Sequence, residues 1–231
     1  MNFDGFDFDD NIKQTFNTLD IQGRVPHAVV IESRDSEKAM SLAVFLSMYA
    51  VCTAPIKPCG SCEQCHKARN KAHPDIKYVE LPKDRKQNSI EQMREIIKDS
   101  IIKPNDSNAK VYIFPFADTR LSEIVQNSFL KLLEEPPQNV YFILLCENSK
   151  KLLTTILSRA SVFRLKTKDV FSEDAVEGAR KIIKGILSAK EYELMQALYA
   201  LSDKSLADEI LLAVKPVSYT HLRAHETLMN L

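Results

Sequence analysis

Apolar residues along this chain fall into two alternating kinds of run. Short apolar-rich stretches, His27 to Ile31, Ile76 to Leu81, Val111 to Phe114, Val140 to Cys146 and Ser161 to Leu165, have the length and the β-branched or aromatic content of strands. Between them, apolar residues recur at helical spacing. Asn11 to Leu19 reads as a short amphipathic helix. Glu37 to Val51 is apolar nearly all round, so it is expected to be buried, with Asp35 as its cap. Ser89 followed by Gln92 makes a capping box for a helix whose Ile90, Met93, Ile96, Ile97 and Ile101 form one apolar face. Leu121, Ile124, Val125, Phe129, Leu132 and Leu133 mark the next helix. It ends near Glu135, because Pro136 and Pro137 supply no amide and disfavour helical geometry before them. After the Val140 strand and its polar exit, Glu147 to Lys151, a turn of helix over Leu152 to Leu157 carries Ser158 and Arg159. Strand and helix alternate as in a doubly wound α/β domain with a mostly parallel sheet.

Beyond about Lys166 the pattern becomes purely helical. Glu173 to Leu187, Glu191 to Leu201 and Leu206 to Val214 predict a small three-helix bundle, and Val217 to Leu231 continues no face of it. His221 and His225 in that last stretch stand at i, i+4 spacing, but the segment is assigned no function.

Charge and hydropathy narrow the classes of function. Lys plus Arg equals Asp plus Glu at 31 each, so no overall basic character draws the protein onto nucleic acid. The local Lys83 to Lys86 cluster reads as a solvated loop. The 45% hydrophobic content suffices for real cores, while no apolar run approaches the roughly 20 residues that cross a bilayer. A membrane role is not supported, and a cytoplasmic location is expected.

Cysteine spacing introduces chemistry. Cys52, Cys59, Cys62 and Cys65 form C-x6-C-x2-C-x2-C in a loop rich in Pro and Gly. Four thiolates at these spacings can close a tetrahedral zinc site, and four sulfur ligands make such a metal structural. A disulfide framework is the alternative, with no signal peptide to favour it. A C-x-x-C redox pair is a further one, which leaves the other cysteines unused. His66 and His73 are potential substitute ligands, although the sulfurs suffice without them. Cys146 lies within an apolar strand and reads as a small buried hydrophobe.

The chain also carries a test for nucleotide binding. A phosphate-binding loop needs G-x-x-x-x-G-K-[ST], in which glycines let backbone amides wrap the phosphates and the hydroxyl holds magnesium. Anchoring Lys38 as the motif lysine puts Glu32 and Glu37 at the glycine positions and Ala39 at the hydroxyl. Two carboxylates would face a polyanion. Lys38 therefore reads as a solvated lysine at a helix start. The second half of such a site, a pair of acids after the Val111 strand, is replaced by Pro115-Phe116-Ala117-Asp118, and Asp118 reads as a helix cap.

LLEEPP at 132–137, a hydrophobic strand and then TTILSRA at 154–160 together resemble the nucleotide-domain signature of bacterial DNA polymerase III clamp-loader subunits, of the AAA+ family. His27-Ala28, the cysteine insertion, the His73-Pro74-Asp75 step and the helix after it resemble the family's delta-prime branch. The resemblance implies an α/β, RecA-like parallel-sheet domain over 1–166 with a zinc-binding insertion at 52–65, then a helical lid over 167–216. It also implies a C-terminal collar, expected here to be absent, which makes 217–231 a non-native tail. In function it implies a non-hydrolysing subunit that holds no ATP and is no enzyme on its own. Arg159, where the family has Ser-Arg-Cys and this chain Ser158-Arg159-Ala160, would serve in trans as an arginine finger. Cys52, Cys59, Cys62 and Cys65 would hold structural Zn2+. The implied partners are gamma/tau ATPase subunits and the delta subunit, with the sliding clamp and primed DNA reached through the complex. An active ATPase of the same fold and a zinc-stabilised interaction module are the other readings.

Overall fold

Among the described residues the apolar runs become five strands, β1 (Ala28–Glu32), β2 (Ile76–Tyr78), β3 (Lys110–Phe114), β4 (Val140–Cys146) and β5 (Ser161–Arg164). They pair in parallel in the order β2-β3-β4-β1-β5. In β1, Ala28 lies opposite Phe142 and Val29 opposite Ser161. The computed structural model describes residues 1–81, 87–165 and 173–187, with Tyr192, Met195, Ala207, Ile210, Leu211, Ala213 and Val214. It divides into two units, Met1–Thr167 and Lys168–Leu231.

Both faces of the sheet are covered, which explains why its central strands read as continuous apolar runs. On one face Val29, Ile31, Val111, Ile113, Ile143 and Leu145 pack under α1 (Asp10–Ile21), α2 (Ser36–Val51) and α3 (Glu63–Arg69). On the other, Val30, Tyr112, Phe114, Phe142 and Leu144 pack under α4 (Ile90–Ile101), α5 (Ala117–Arg120), α6 (Glu123–Glu134) and α7 (Thr154–Leu157). A turn of 3-10 helix, Ser149–Lys151, precedes α7.

Several local expectations are corrected. Ile101 and Ile124 are 73% and 66% exposed instead of sharing their helices' apolar faces. The inward stripe of α4 runs through Met93 to Ser100, and that of α6 through Val125, Phe129 and Leu132. Each isoleucine stands about 100° round the helix from a stripe residue, Ser100 or Val125. The Ser89 half of the capping box forms, with Oγ accepting from the Gln92 amide at 3.2 Å. The Gln92 side chain goes elsewhere, donating to the Glu80 carbonyl at 2.7 Å. The amino-terminal segment contributes a cluster that helical periodicity could not reveal. Phe3 stacks on Phe45 of α2 at 4.8 Å, and Phe8 meets the same ring edge-on at 5.5 Å.

In the second unit, α8 (Glu173–Leu187) buries Ala175, Ala179 and Ile182 around Ile210 and Ala213. Gly178 allows close approach, since a Cβ there would stand 2.6 Å from Ile210 Cδ1. Of the second bundle helix expected from the sequence only Tyr192 and Met195 are described. The Lys83 to Lys86 cluster and 217–231, with His221 and His225, lie outside the described residues. No helix among the described residues is long and apolar enough to cross a membrane.

Candidate functional site

In open parallel sheets ligands bind beyond the carboxyl ends of the strands, where the chain leaves in opposite directions. The exits of β1, β3 and β4 meet there, around a cavity of about 40 Å³ lined by Ser33, Ala39, Pro115, Phe116 and Cys146 among others. That is space for a few water molecules. The amino terminus of α2, where a phosphate would bind the free amides, is already capped. Asp35 Oδ1 accepts from the Glu37 and Lys38 amides at 3.0 Å each. Glu32 Oε2 accepts from Ser149 Oγ at 2.8 Å and from Arg164 Nε at 2.9 Å. Lys38 is not simply solvated, because its Nζ lies 3.6 Å from Asp9 Oδ2, beside the start of α1.

Phe116 forms another wall of the cavity in the left-handed region, at φ 55°, with the Arg120 guanidinium 4.7 Å from its ring centroid. Because Phe116 takes the capping position of α5, Asp118 falls inside the helix and caps nothing. Its side chain, only 1% exposed, turns instead to the exit of β4. There Oδ2 accepts from the Asn148 amide at 3.4 Å and faces Lys151 Nζ at 3.9 Å.

Arg159 stands at the other end of the strands, just before β5. Buried Leu152 and Ile156 anchor the segment that carries it. Gln126, buried in α6, donates to the Leu121 carbonyl and accepts from the Leu153 amide, both at 2.8 Å, and so fixes where α7 starts. Arg159 Nη1 donates to the Thr155 carbonyl at 3.0 Å and to Ser158 Oγ at 3.2 Å, while Nη2 donates to Glu134 Oε1 at 2.6 Å. Its side chain remains 34% exposed. Ala160 packs partly buried against the core beneath, where a small side chain fits. Two residues later β5 begins, pairing Ser161 with Val29 near the start of β1. On the same side, His27 Nε2 lies 3.2 Å from the Leu133 carbonyl at the end of α6, a hydrogen bond in the Nε2–H tautomer. The length of β1, five residues or roughly 16 Å at about 3.3 Å per residue, therefore separates Arg159 from the chain's own cavity. An arginine side chain does not reach across that distance.

The four cysteines converge at the end of α2. Cys52 caps α2, Cys62 caps α3, and the four Sγ atoms lie within 4.8 Å of one another. Cys59 and Cys65 Sγ are 3.9 Å apart and Cys52 and Cys62 Sγ 4.0 Å. A disulfide requires about 2.05 Å, and all four are free thiols. A tetrahedron with Zn–S bonds of about 2.3 Å has sulfur–sulfur edges of about 3.8 Å, so this donor set fits a tetrahedral thiolate-bound metal. Amides of Cys59, Cys62 and Cys65 donate to Cys52, Cys59 and Cys62 Sγ at 3.4, 3.3 and 3.4 Å. Gly60, at φ 72°, supplies the left-handed turn between the second and third cysteines. The Ser61 and Cys62 amides hold the Cys59 thiol down at about 6, whereas burial pushes Cys52 and Cys65 up. His66 is exposed.

His73, by contrast, is buried and organises the loop beside the insertion. Its Nδ1 accepts from the Asp75 amide at 3.0 Å, and its Nε2 pairs with Gln64 Oε1 of α3 at 2.7 Å. Fully buried Asp75 accepts from the amides of Asn105, Asp106 and Ser107 at 2.6, 2.8 and 2.9 Å. Lys67 of α3 closes the connection on Asp106 at 2.8 Å. The sequence marked the His73-Pro74-Asp75 step but gave no sign of its partners, which lie about thirty residues on.

Comparison with known proteins gives a consistent picture. A family model described as DNA polymerase III, delta subunit, matches residues 8–169. A DNA polymerase III subunit delta' from Haemophilus influenzae is 34% identical over 199 residues, covering 82% of this chain and 57% of that protein. A DNA polymerase III subunit tau from Salmonella typhimurium is 30% identical over 202 residues, covering 85% of this chain and 30% of that protein. The chain thus spans little more than half the length of these relatives at most. In fold it is similar to a gamma subunit-related protein of DNA polymerase III from Thermotoga maritima, with a TM-score of 0.50 at 19% identity, covering 89% of this chain and 60% of that one.

Proposed function

The chain belongs to the delta-prime family of DNA polymerase III clamp-loader subunits, and from that premise we propose that it is a non-hydrolysing subunit presenting Arg159 to ATP held by a neighbouring ATPase subunit. The observation that carries this reading is that Arg159 lies at the amino-terminal end of the strands and the crevice at their carboxyl end. A finger at one end of the strands and a crevice at the other suit a head-to-tail contact between unlike surfaces, as in a ring of subunits. The guanidinium, tied to Thr155 and Ser158 and still partly exposed, would neutralise charge that develops on the γ-phosphate of the neighbour's ATP. Such a finger supplied in trans is worth about 10³ to 10⁵ in rate.

The chain's own crevice does the opposite of what ATP requires. Asp35 occupies the α2 amides, Glu37 adds negative charge beside them, Glu32 is engaged by Ser149 and Arg164, Ala39 offers no magnesium ligand, and Pro115 and Phe116 replace the acids. These residues argue against the reading as an active ATPase. The neighbours in this proposal are gamma/tau ATPase subunits and the delta subunit, acting in the cytoplasm, with the sliding clamp and primed DNA engaged through the assembly.

Cys52, Cys59, Cys62 and Cys65 would hold Zn2+, whose four thiolate ligands leave no open position, so its contribution is structural. It would tie the end of α2 to α3, and α3 holds His73 and Asp106 through Gln64 and Lys67. Titrating the protein with Mg-ATP, alone and beside an ATPase subunit, tests the proposal. Heat is expected only from the ATPase subunit, whose hydrolysis should rise when the two are combined. Binding of ATP to this chain at micromolar concentration would restore the ATPase reading.

A further inference from the structure

Among the described residues, Arg159 has one hydrogen-bond partner outside its own turn, and that partner is charged: Nη2 donates to Glu134 Oε1 at 2.6 Å. Glu134 is the last residue of α6, whose buried Phe129, Leu132 and Leu133 fix it to the sheet and whose terminal Leu133 carbonyl is tied to His27. Thr155 and Ser158, the other two acceptors, lie on α7 itself, so Glu134 is the acceptor that ties the guanidinium to a second element. We propose that Glu134 is a positioning residue, which clamps the Arg159 guanidinium to the rigid end of α6 so that its remaining donors face the neighbouring subunit already oriented.

The proposal rests on the finger reading of Arg159 and extends it to a residue outside the Ser-Arg dipeptide. An arginine has five N–H donors on a planar fork, so one edge can stay on a carboxylate while the other meets a phosphate. Glu134 and Arg159 are half and one-third exposed, so their pair is weak in itself. As an exposed ion pair it shifts an equilibrium by about two- to fivefold at most, too little to withhold the finger from a triphosphate. Its value lies in orientation, since a misplaced catalytic group can lose about 10²-fold in rate.

The test uses the full-length protein reconstituted with partner ATPase subunits, measuring kcat and KM for ATP. Glu134→Ala is expected to lower kcat about tenfold, between the weight of an exposed pair and that of a misplaced group, with KM nearly unmoved. Glu134→Gln, which keeps a neutral acceptor, should recover part of the loss. In an Arg159→Ala background, Glu134→Ala should change nothing further. A kcat within twofold of wild type, a rise in kcat, or losses that multiply in the double variant would each overturn the proposal. If Arg159→Ala alone leaves kcat unchanged, the finger reading itself fails, a result distinct from a silent Glu134 beside an essential Arg159. Unchanged melting temperature and cysteine-cluster metal content in each variant would confirm that these differences are local.

Discussion

Asp35 lies with its Oδ1 3.0 Å from the backbone amide of Lys38, so a carboxylate of the same chain caps the amino terminus of α2. The cap stabilises α2, and in the proposed reading its charge also disfavours a phosphate there. Asp35→Ala is expected to lower stability by about 1 kcal/mol, a melting shift of about 2 to 4 °C. It should not create an ATP site, since Glu32, Glu37 and Ala39 stay in place. Thermal melting and calorimetry with Mg-ATP measure the two halves separately.

One zinc per chain is the expected metal content, and cobalt substitution should give the absorption of a tetrahedral thiolate site. Cys62→Ser should abolish tight binding and lower the melting temperature by about 6 to 12 °C, the shift of a loss of roughly 3 kcal/mol. A protein that binds no metal yet melts like the loaded form would exclude the structural role. Lost partner binding at unchanged stability would instead favour the interaction-module reading.

Stability should fall in two stages on acidification. Burial holds His73 below the usual 6.5, outweighing the nearby Asp75 and Asp106 carboxylates. The unfolded histidine takes its proton first, so the contribution of neutral His73 is complete above about pH 6.5 and lost as pH falls below it. Burial would raise Asp75, but the Asn105, Asp106 and Ser107 amides and the Ser107 hydroxyl pull it below 3.8. Its contribution is complete above about pH 4 and is lost under stronger acid. Denaturant midpoints from pH 8 to pH 3, compared with His73→Gln, would resolve the first stage. NMR should find His73 as the Nε2–H tautomer, because Nδ1 accepts from the Asp75 amide.

Phe129 packs between Phe114 and Phe142, with ring centroids 5.4 and 5.1 Å away. Phe129→Ala should destabilise the domain by about 3 to 5 kcal/mol. Because α6 carries both Gln126 and Glu134, the variant should also weaken stimulation of a partner's ATPase under conditions where it remains folded. Denaturant unfolding and ATPase assays on one preparation would check both.

The positions of the five strands and the cysteine cluster could be read from residues alone, because buried parallel strands leave continuous apolar runs and the cysteines that converge are closely spaced in sequence. Asp35 was legible as a cap for the same reason: its partners are two and three residues away. What stayed hidden depends on distant partners. Asp118 resembled a cap until Phe116 took that position, and Ile101 and Ile124 matched a periodicity from which the packed stripes diverge. Glu134 sits in plain view within LLEEPP, yet its contact with Arg159 crosses a whole strand of sequence.

The most direct measurement is the rate of ATP hydrolysis, at saturating ATP and primed DNA, by ATPase subunits assembled with the full-length protein carrying Arg159→Ala. Loss of about 10³-fold or more at the site the finger serves, with melting temperature, metal content and the partner's affinity for ATP unchanged, is the predicted result. Hydrolysis at that site equal to wild type would contradict the assignment of Arg159 as a finger in trans.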